Sequence, residues 1–170
     1  MYILWKKIAE YLQAHPERLS VAKVLVENGL SVKNGTIYCG DIAISSIGLS
    51  RVARVDRRTV IKTVKTIEEN SELKEIFSKI KPAGTSLVEI ARYLKLGVIE
   101  ITPTNARTPG ILAASAQLLA DRDINIRQAI VDDPELSPEP KLILIAEEKI
   151  PGELISEFLK INGISKVSIF

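Results

Sequence analysis

Thr108-Pro109-Gly110-Ile111-Leu112, followed by Asp123-Ile124-Asn125-Ile126, marks a passage from strand into helix and back into strand. Working outward, Gly97 to Thr102 alternates apolar and polar residues as a strand does, Pro109 to Arg122 is helical in character, and Ile124 to Val131 alternates again. A third apolar run, Leu142 to Ala146, precedes a proline-started helix from Pro151 to Ile161 and a last strand from Ile164 to Phe170. In order this is βαββαβ, the split βαβ arrangement. The expected fold class is α+β: an all-α N-terminal bundle, with a short hairpin, followed by this ferredoxin-like C-terminal part.

The chemistry of the quoted stretch lies in its backbone. Pro109 at a first helical position lacks an N–H that would have been orphaned there, and the amides of Gly110, Ile111 and Leu112 then point out of the helix end. Together with the positive end of the helix dipole they form a site for a ligand carboxylate, which Gly110 allows to come close because it has no side chain. The Asn125 side chain and nearby carbonyls supply acceptors for an ammonium group. The alternative is that Pro-Gly before an aliphatic helix only turns the chain tightly.

This ordered series, with Pro-Gly-aliphatic-Leu opening the helix and Asn-Ile opening the next strand, resembles the ACT domain, a ligand-binding regulatory module of amino-acid metabolism. The resemblance covers residues 98–170. With Ile126-Arg127-Gln128-Ala129-Ile130-Val131-Asp132-Asp133-Pro134-Glu135 and the N-terminal half added, the chain is similar to a prokaryotic, mainly archaeal, group of regulators of amino-acid metabolism. The resemblance implies an amino-acid effector and side-by-side assembly through the second strand and first helix, with ligand at the seam. It also implies a homodimer or larger even oligomer, and makes Asn125 a typical ligand contact. Two residues before the proline, where the family usually carries Asp or Asn, stands Arg107, with Thr108 after it and Asn105 two residues further back. The guanidinium fork of Arg107 pairs well with carboxylates and points to an acidic ligand such as aspartate or glutamate; otherwise it is an exposed loop arginine.

The N-terminal half reads as helices. Leu4, Ile8, Tyr11 and Leu12 share one face of a first helix ended by His15-Pro16, and Leu19, Ala22 and Val26 form the apolar face of a second stopped by Asn28-Gly29. Residues 30–39 with Asn34-Gly35 at their centre suggest a hairpin with a type I′ turn, either a wing or a spacer. The segment from Leu49 to Val60 has the spacing of a helix-turn-helix. Leu49, Val52 and Ala53 would face inward, Val55 would plug the turn, Asp56 would cap the second helix, and Arg54 occupies a turn position usually held by glycine. On the second helix Val60, Ile61, Val64 and Ile67 cluster on one side, with Arg58, Lys62 and Lys65 more than a right angle away. Arg51, Arg54, Arg57, Arg58, Thr59, Lys62 and Lys65 are the candidate contacts to duplex DNA. A solvated basic face on an ordinary bundle helix is the alternative. After the Lys81-Pro82-Ala83-Gly84 break, a capping box from Ser86 to Glu89 and the spacing of Leu87, Ile90, Ala91 and Leu94 predict a connecting helix over 85–97. The domains are thus 1–84, 85–97 and 98–170.

Composition narrows the function classes. The chain has 170 residues, 46% hydrophobic and 26% charged, which suits one globular domain or two small ones. Residues 1–97 hold 16 Lys+Arg against 10 Asp+Glu, and residues 98–170 hold 7 against 11, so the two parts differ in sign. Lys6-Lys7 interrupts the opening apolar residues, and no apolar run approaches the ~18 residues of a membrane span, so a cytoplasmic protein without membrane contact is expected. A single Cys39 and a single His15 have no partners in a recognisable motif, no nucleotide-binding or hydrolase signature is present, and Asp132-Asp133-Pro134-Glu135 lacks calcium-loop spacing. No enzyme activity, cofactor or metal is expected. The preferred reading is an amino-acid-responsive transcriptional regulator; the alternative is a regulatory or assembly subunit that acts on a metabolic enzyme without binding DNA.

Overall fold

The protein is described from a computed structural model covering residues 4–170, in which the chain divides into two compact units at Gly84/Thr85. In the first unit, α1 (Leu4–Leu12) and α2 (Pro16–Glu27) precede β1 (Leu30–Lys33), β2 (Thr36–Cys39) and β3 (Ile42–Ile44), followed by α3 (Ser46–Ala53), α4 (Arg57–Glu69) and α5 (Ser71–Lys79). The unit is therefore not all-α, because three antiparallel strands in the order β1-β2-β3 lie between the helices. Asn34 and Gly35 both take positive φ, 51° and 74°, which is the type I′ geometry expected of them. Gly40, at φ 59°, turns the chain a second time and adds β3.

Burial in α2 follows Val21, Ala22 and Leu25, while Leu19 and Val26 are only partly covered. Gly29 ends that helix at φ 60° as expected, and a Cβ there would lie 2.6 Å from the backbone of Pro82. Glu68 fastens the hairpin to α4: its Oε1 accepts from the Gly35 amide at 3.2 Å and its Oε2 lies 2.9 Å from Lys74 Nζ. The Lys74 hydrogen bond, and then the Gly35 amide, hold this carboxyl below the ordinary glutamate range. One cluster built on Ile8, Leu12, Leu25, Leu49, Val60, Ile67 and Phe77 joins all these helices to the sheet.

The second unit contains β4 (Gly97–Pro103), α6 (Ile111–Ala120), β5 (Ile126–Val131), β6 (Leu142–Ala146), α7 (Leu154–Phe158) and β7 (Ile164–Ile169). The strands form an antiparallel sheet in the order β5-β6-β4-β7. Ile99, Ile101, Leu142, Leu144 and Ala146 meet Ile111 and Leu119 of α6 and Leu154 and Phe158 of α7 on one face. Val98 and Ile145 on the opposite face are covered by Leu87, Val88, Ala91 and Leu96. A bulge between Ile126 and Gln128 interrupts the pairing of β5 with β6.

The connecting helix expected over 85–97 is absent. That segment holds a single 3₁₀ turn, Val88–Ile90, and a left-handed Lys95 at φ 60° folds Leu96 back, with Leu96 N donating to Ala91 O at 3.0 Å. Contact with the sheet decides which side chains are covered, so Ile90 and Leu94 remain 44% and 52% exposed despite their helical spacing. The segment is pinned from β5: Gln128 Oε1 accepts from Leu87 N at 3.0 Å and Gln128 Nε2 donates to Thr85 O at 2.8 Å. No helix among the described residues is long and apolar enough to cross a membrane.

Two stability measurements test this account. A Cβ on Gly97 would stand 2.5 Å from both Glu148 O and Ile150 Cγ1, so Gly97→Ala is expected to cost about 1–3 kcal/mol in urea unfolding. Glu68, with its lowered folded-state pKa, contributes stability above the ordinary glutamate range that is lost as pH falls through the depressed value. Glu68→Gln should therefore flatten the acid limb of the stability profile, and an unchanged limb would show that the hairpin latch is uncoupled from folding.

Candidate functional site

The turn between α3 and α4 is built from backbone geometry. Ser45 caps α3 by accepting from Gly48 N at 3.1 Å, and α3 ends on Arg54 in the left-handed region at φ 54°, ψ 44°. Val55 N then donates to Ser50 O at 3.0 Å, and the Val55 side chain packs against the core. Asp56 caps α4 by accepting from Arg58 N at 2.7 Å. Arg54 thus takes the conformation that glycine would adopt with least strain, at a cost of about 1–2 kcal/mol.

The faces of both helices differ in part from the expected ones. α3 buries Leu49, Ser50 and Ala53, and Val52 is 64% exposed, because Ser50 hides its hydroxyl by donating to Ile47 O at 2.9 Å. α4 buries Val60, Thr63, Val64 and Ile67, with Thr63 Oγ1 donating to Thr59 O at 2.8 Å, so Ile61 is left outside the core. Arg51, Arg54, Arg57, Arg58, Lys62 and Lys65 are all exposed. Among the described residues no ion pair involves Arg51, Arg54, Arg58 or Lys62. Lys65 lies 3.5 Å from Glu69, and Arg57 Nε donates to Ser46 Oγ at 3.1 Å, tying the start of α4 to the start of α3. The hydroxyl of Thr59 donates to Glu17 Oε2 of α2 at 3.1 Å. A groove of about 530 Å³ runs beside α4 under the β1–β2 turn, with Arg57, Ile61 and Lys65 on its helix side.

In the second unit the helix after the Pro-Gly pair starts two residues later than expected. Gly110 is the N-cap of α6, at φ 88° and ψ −9°, and the helix begins at Ile111 rather than Pro109, because a left-handed residue cannot continue a right-handed helix. The first ladder bond runs from Ala114 N to Gly110 O at 2.8 Å. The amides that precede it, and face out of the helix end, are those of Ile111, Leu112 and Ala113.

A pocket of about 180 Å³ adjoins this helix end. Of the sequence-derived ligand residues it is lined by Thr108, Gly110, Ile111 and Leu112. Asn105, Arg107, Pro109 and Asn125 lie outside it. Asn105 shapes the loop instead, its side chain accepting from Arg107 N at 2.9 Å and its carbonyl from Thr108 N at 3.0 Å. Arg107 is exposed. Asn125 donates to Glu147 Oε2 at 2.9 Å and adjoins the end of the sheet where Ile126 pairs with Ala146, and Ala146 with Gly97. The Pro-Gly loop leaves the other end, after Pro103.

Sequence reasoning missed the facing wall: Pro103, Val131, Asp132, Lys141 and Leu142. The signal was the element order itself. In a sheet ordered β5-β6-β4-β7, β4 and β5 run parallel, so their C-terminal ends lie at the same end of the sheet. Asp132 Oδ2 accepts from Lys141 N at 3.1 Å. The Lys141 ammonium is paired at 2.9 Å with Glu100, which raises its pKa, so the cation at this rim already has its counter-ion. The pocket thus places helix-end donors on one wall, a carboxylate on the other and apolar side chains between. Ser115, on the inward face of α6, is fully buried, and its hydroxyl has no hydrogen-bond partner among the described residues. Among the described residues, no group of three or more His, Cys, Asp or Glu side chains is placed to hold a metal ion.

No family model and no curated protein matches the chain. Among solved structures it is similar to AsnC of E. coli, at 12% identity and a TM-score of 0.28, with 91% of this chain and 87% of that one covered. It is also similar to the transcriptional regulator NMB0573 of Neisseria meningitidis in complex with L-Met, at 13% identity and a TM-score of 0.25, with 91% and 86% covered. TM-scores at this level do not establish a common fold.

Proposed function

We propose that the protein is a cytoplasmic, amino-acid-responsive transcriptional regulator that binds duplex DNA through α3 and α4 and binds its effector in an ACT-like second unit. The observation that carries this reading is the helix-turn-helix joint at Arg54, which presents exposed cations on both helices with few carboxylates to neutralise them. Phosphates are the natural counter-charge of such a face. Arg51, Arg54, Arg57, Arg58, Lys62 and Lys65 are its proposed contacts; Thr59 is not among them.

The effector follows from the pocket. A volume of about 180 Å³ is below the ~300–1,000 Å³ of drug-sized sites and suits a single amino acid. Its carboxylate would lie on the amides of Ile111 and Leu112, favoured by the dipole of α6. Its ammonium would face Asp132, and its side chain Pro103, Val131 and Leu142. With Arg107 outside the pocket, the proposed ligand is a zwitterion with a short apolar side chain rather than aspartate or glutamate.

Asn125 enters only through assembly. Antiparallel pairing of two copies along the free edge of β5 places the start of one strand opposite the end of the other, which brings the partner's Asn125 toward the Val131 wall. The homodimer proposed here is therefore also the state in which the ligand site is complete. Ligand that favours one dimer arrangement by ~1–3 kcal/mol changes DNA affinity about 5- to 150-fold.

Thermal unfolding against each of the twenty amino acids tests the sensor. A small aliphatic amino acid at ~100 times its dissociation constant should stabilise the protein by ~2.7 kcal/mol. Asp132→Asn should abolish that shift, and Arg107→Ala should leave it in place. Duplex affinity measured against salt tests the other unit. Its logarithm should fall by ~0.9 per neutralised phosphate for each unit in log salt, and loss of Arg58, Lys62 and Lys65 should flatten the slope. Absence of duplex binding at low salt would favour the alternative, docking on an enzyme.

A further inference from the structure

We propose that Ile61 reads DNA sequence by packing on the 5-methyl group of a thymine in the major groove. This inference rests on the DNA-binding reading and specifies what the helix recognises. It begins from an apolar side chain outside the core: Val60, Val64 and Ile67 supply the inward face of α4, and Ile61 remains 49% exposed on the wall of the groove beside that helix.

Its surroundings select the partner. Arg57, Ile61 and Lys65 succeed one another at four-residue intervals, a single ridge along the helix, and Arg58 and Lys62 form the adjacent ridge. An isoleucine flanked in this way by cations suits the surface of a polyanion that also carries an apolar group. The major groove displays hydrogen-bonding groups at every base pair and a single apolar group, the thymine methyl. Ile61 is also the fifth residue of a helix of 13, within the N-terminal part that approaches base edges when a recognition helix lies in the groove. Being β-branched, it is held near one χ1 rotamer, so its methyl groups are presented with little ordering cost.

The experiment is selection of bound duplexes from a random-sequence pool by the full-length protein, followed by resynthesis of the enriched site with deoxyuridine at each thymine in turn. Deoxyuridine removes the methyl and nothing else. The expected result is about fourfold weaker binding at one thymine position, with Ile61→Ala binding the thymine and deoxyuridine sites equally and with unchanged salt dependence. Ile61→Val, which keeps a branched side chain, should retain a preference for thymine. Circular dichroism of each variant confirms that the fold is kept, as expected for a half-exposed position. An Ile61→Ala protein that still discriminates, a wild type that does not, or an enriched site without thymine would overturn the inference while DNA binding stands. Absence of any enriched duplex at low salt would remove the DNA-binding reading and this one with it.

Discussion

Positive φ at two positions aims the two helices on which the chemistry depends. Arg54 ends α3 in the left-handed region before the Asp56 cap starts α4 at Arg57, and Gly110 halts the loop after β4 so that α6 starts at Ile111. The residue types are instructive. Glycine accepts the left-handed region without steric penalty, while arginine does not. Holding Arg54 there takes the bond from Val55 N to Ser50 O, the packing of Val55 and the Asp56 cap acting together. The gain from tolerating this strain is a cation at the corner of the turn.

Charge in the first unit is sorted by helix. Glu72, Glu75 and Glu68 engage Lys7, Lys79 and Lys74, and the lysine hydrogen bonds hold all three carboxyls below their ordinary range. These exposed or partly exposed pairs each contribute little to stability. Their larger effect is on the outward field: carboxylates near α5 are matched, whereas among the described residues no ion pair involves Arg51, Arg54 or Arg58. Arginine suits the proposed contact with phosphate, since its planar fork matches phosphate oxygens and is weakly hydrated.

Local signals in the sequence were reliable where one or two residues dictate a conformation. The Asn34-Gly35 turn, the Gly29 stop, the Asp56 cap and the order of strands and helices from Gly97 onward are of this kind. Signals that depend on which neighbour arrives were not. Helical spacing at Leu87, Ile90, Ala91 and Leu94 did not produce a helix, because the sheet face takes Leu87, Val88, Ala91 and Leu96 instead. Thr63 displaced Ile61 from the core because an intrahelical hydrogen bond hides its hydroxyl. The Pro-Gly half of the pocket was legible, since it is contiguous in the chain. Its Asp132 half was not, because a charged residue beside Asp133-Pro134 reads as solvated loop until the parallel run of β4 and β5 sets it opposite the helix end.

The bulge in β5 has a consequence for the chain segment that follows Gly84. Alternation along a strand would place Ile126 and Gln128 on the same side of the sheet. The extra residue between them reverses parity: Ile126 joins the cluster under α6 and α7, and Gln128 reaches the other side to grip Thr85 and Leu87. A slip of one residue in the pairing of β5 would invert both assignments at once, burying an amide and releasing the grip. Strand register in the second unit is thus written directly into the tether, as a two-valued setting rather than a graded one.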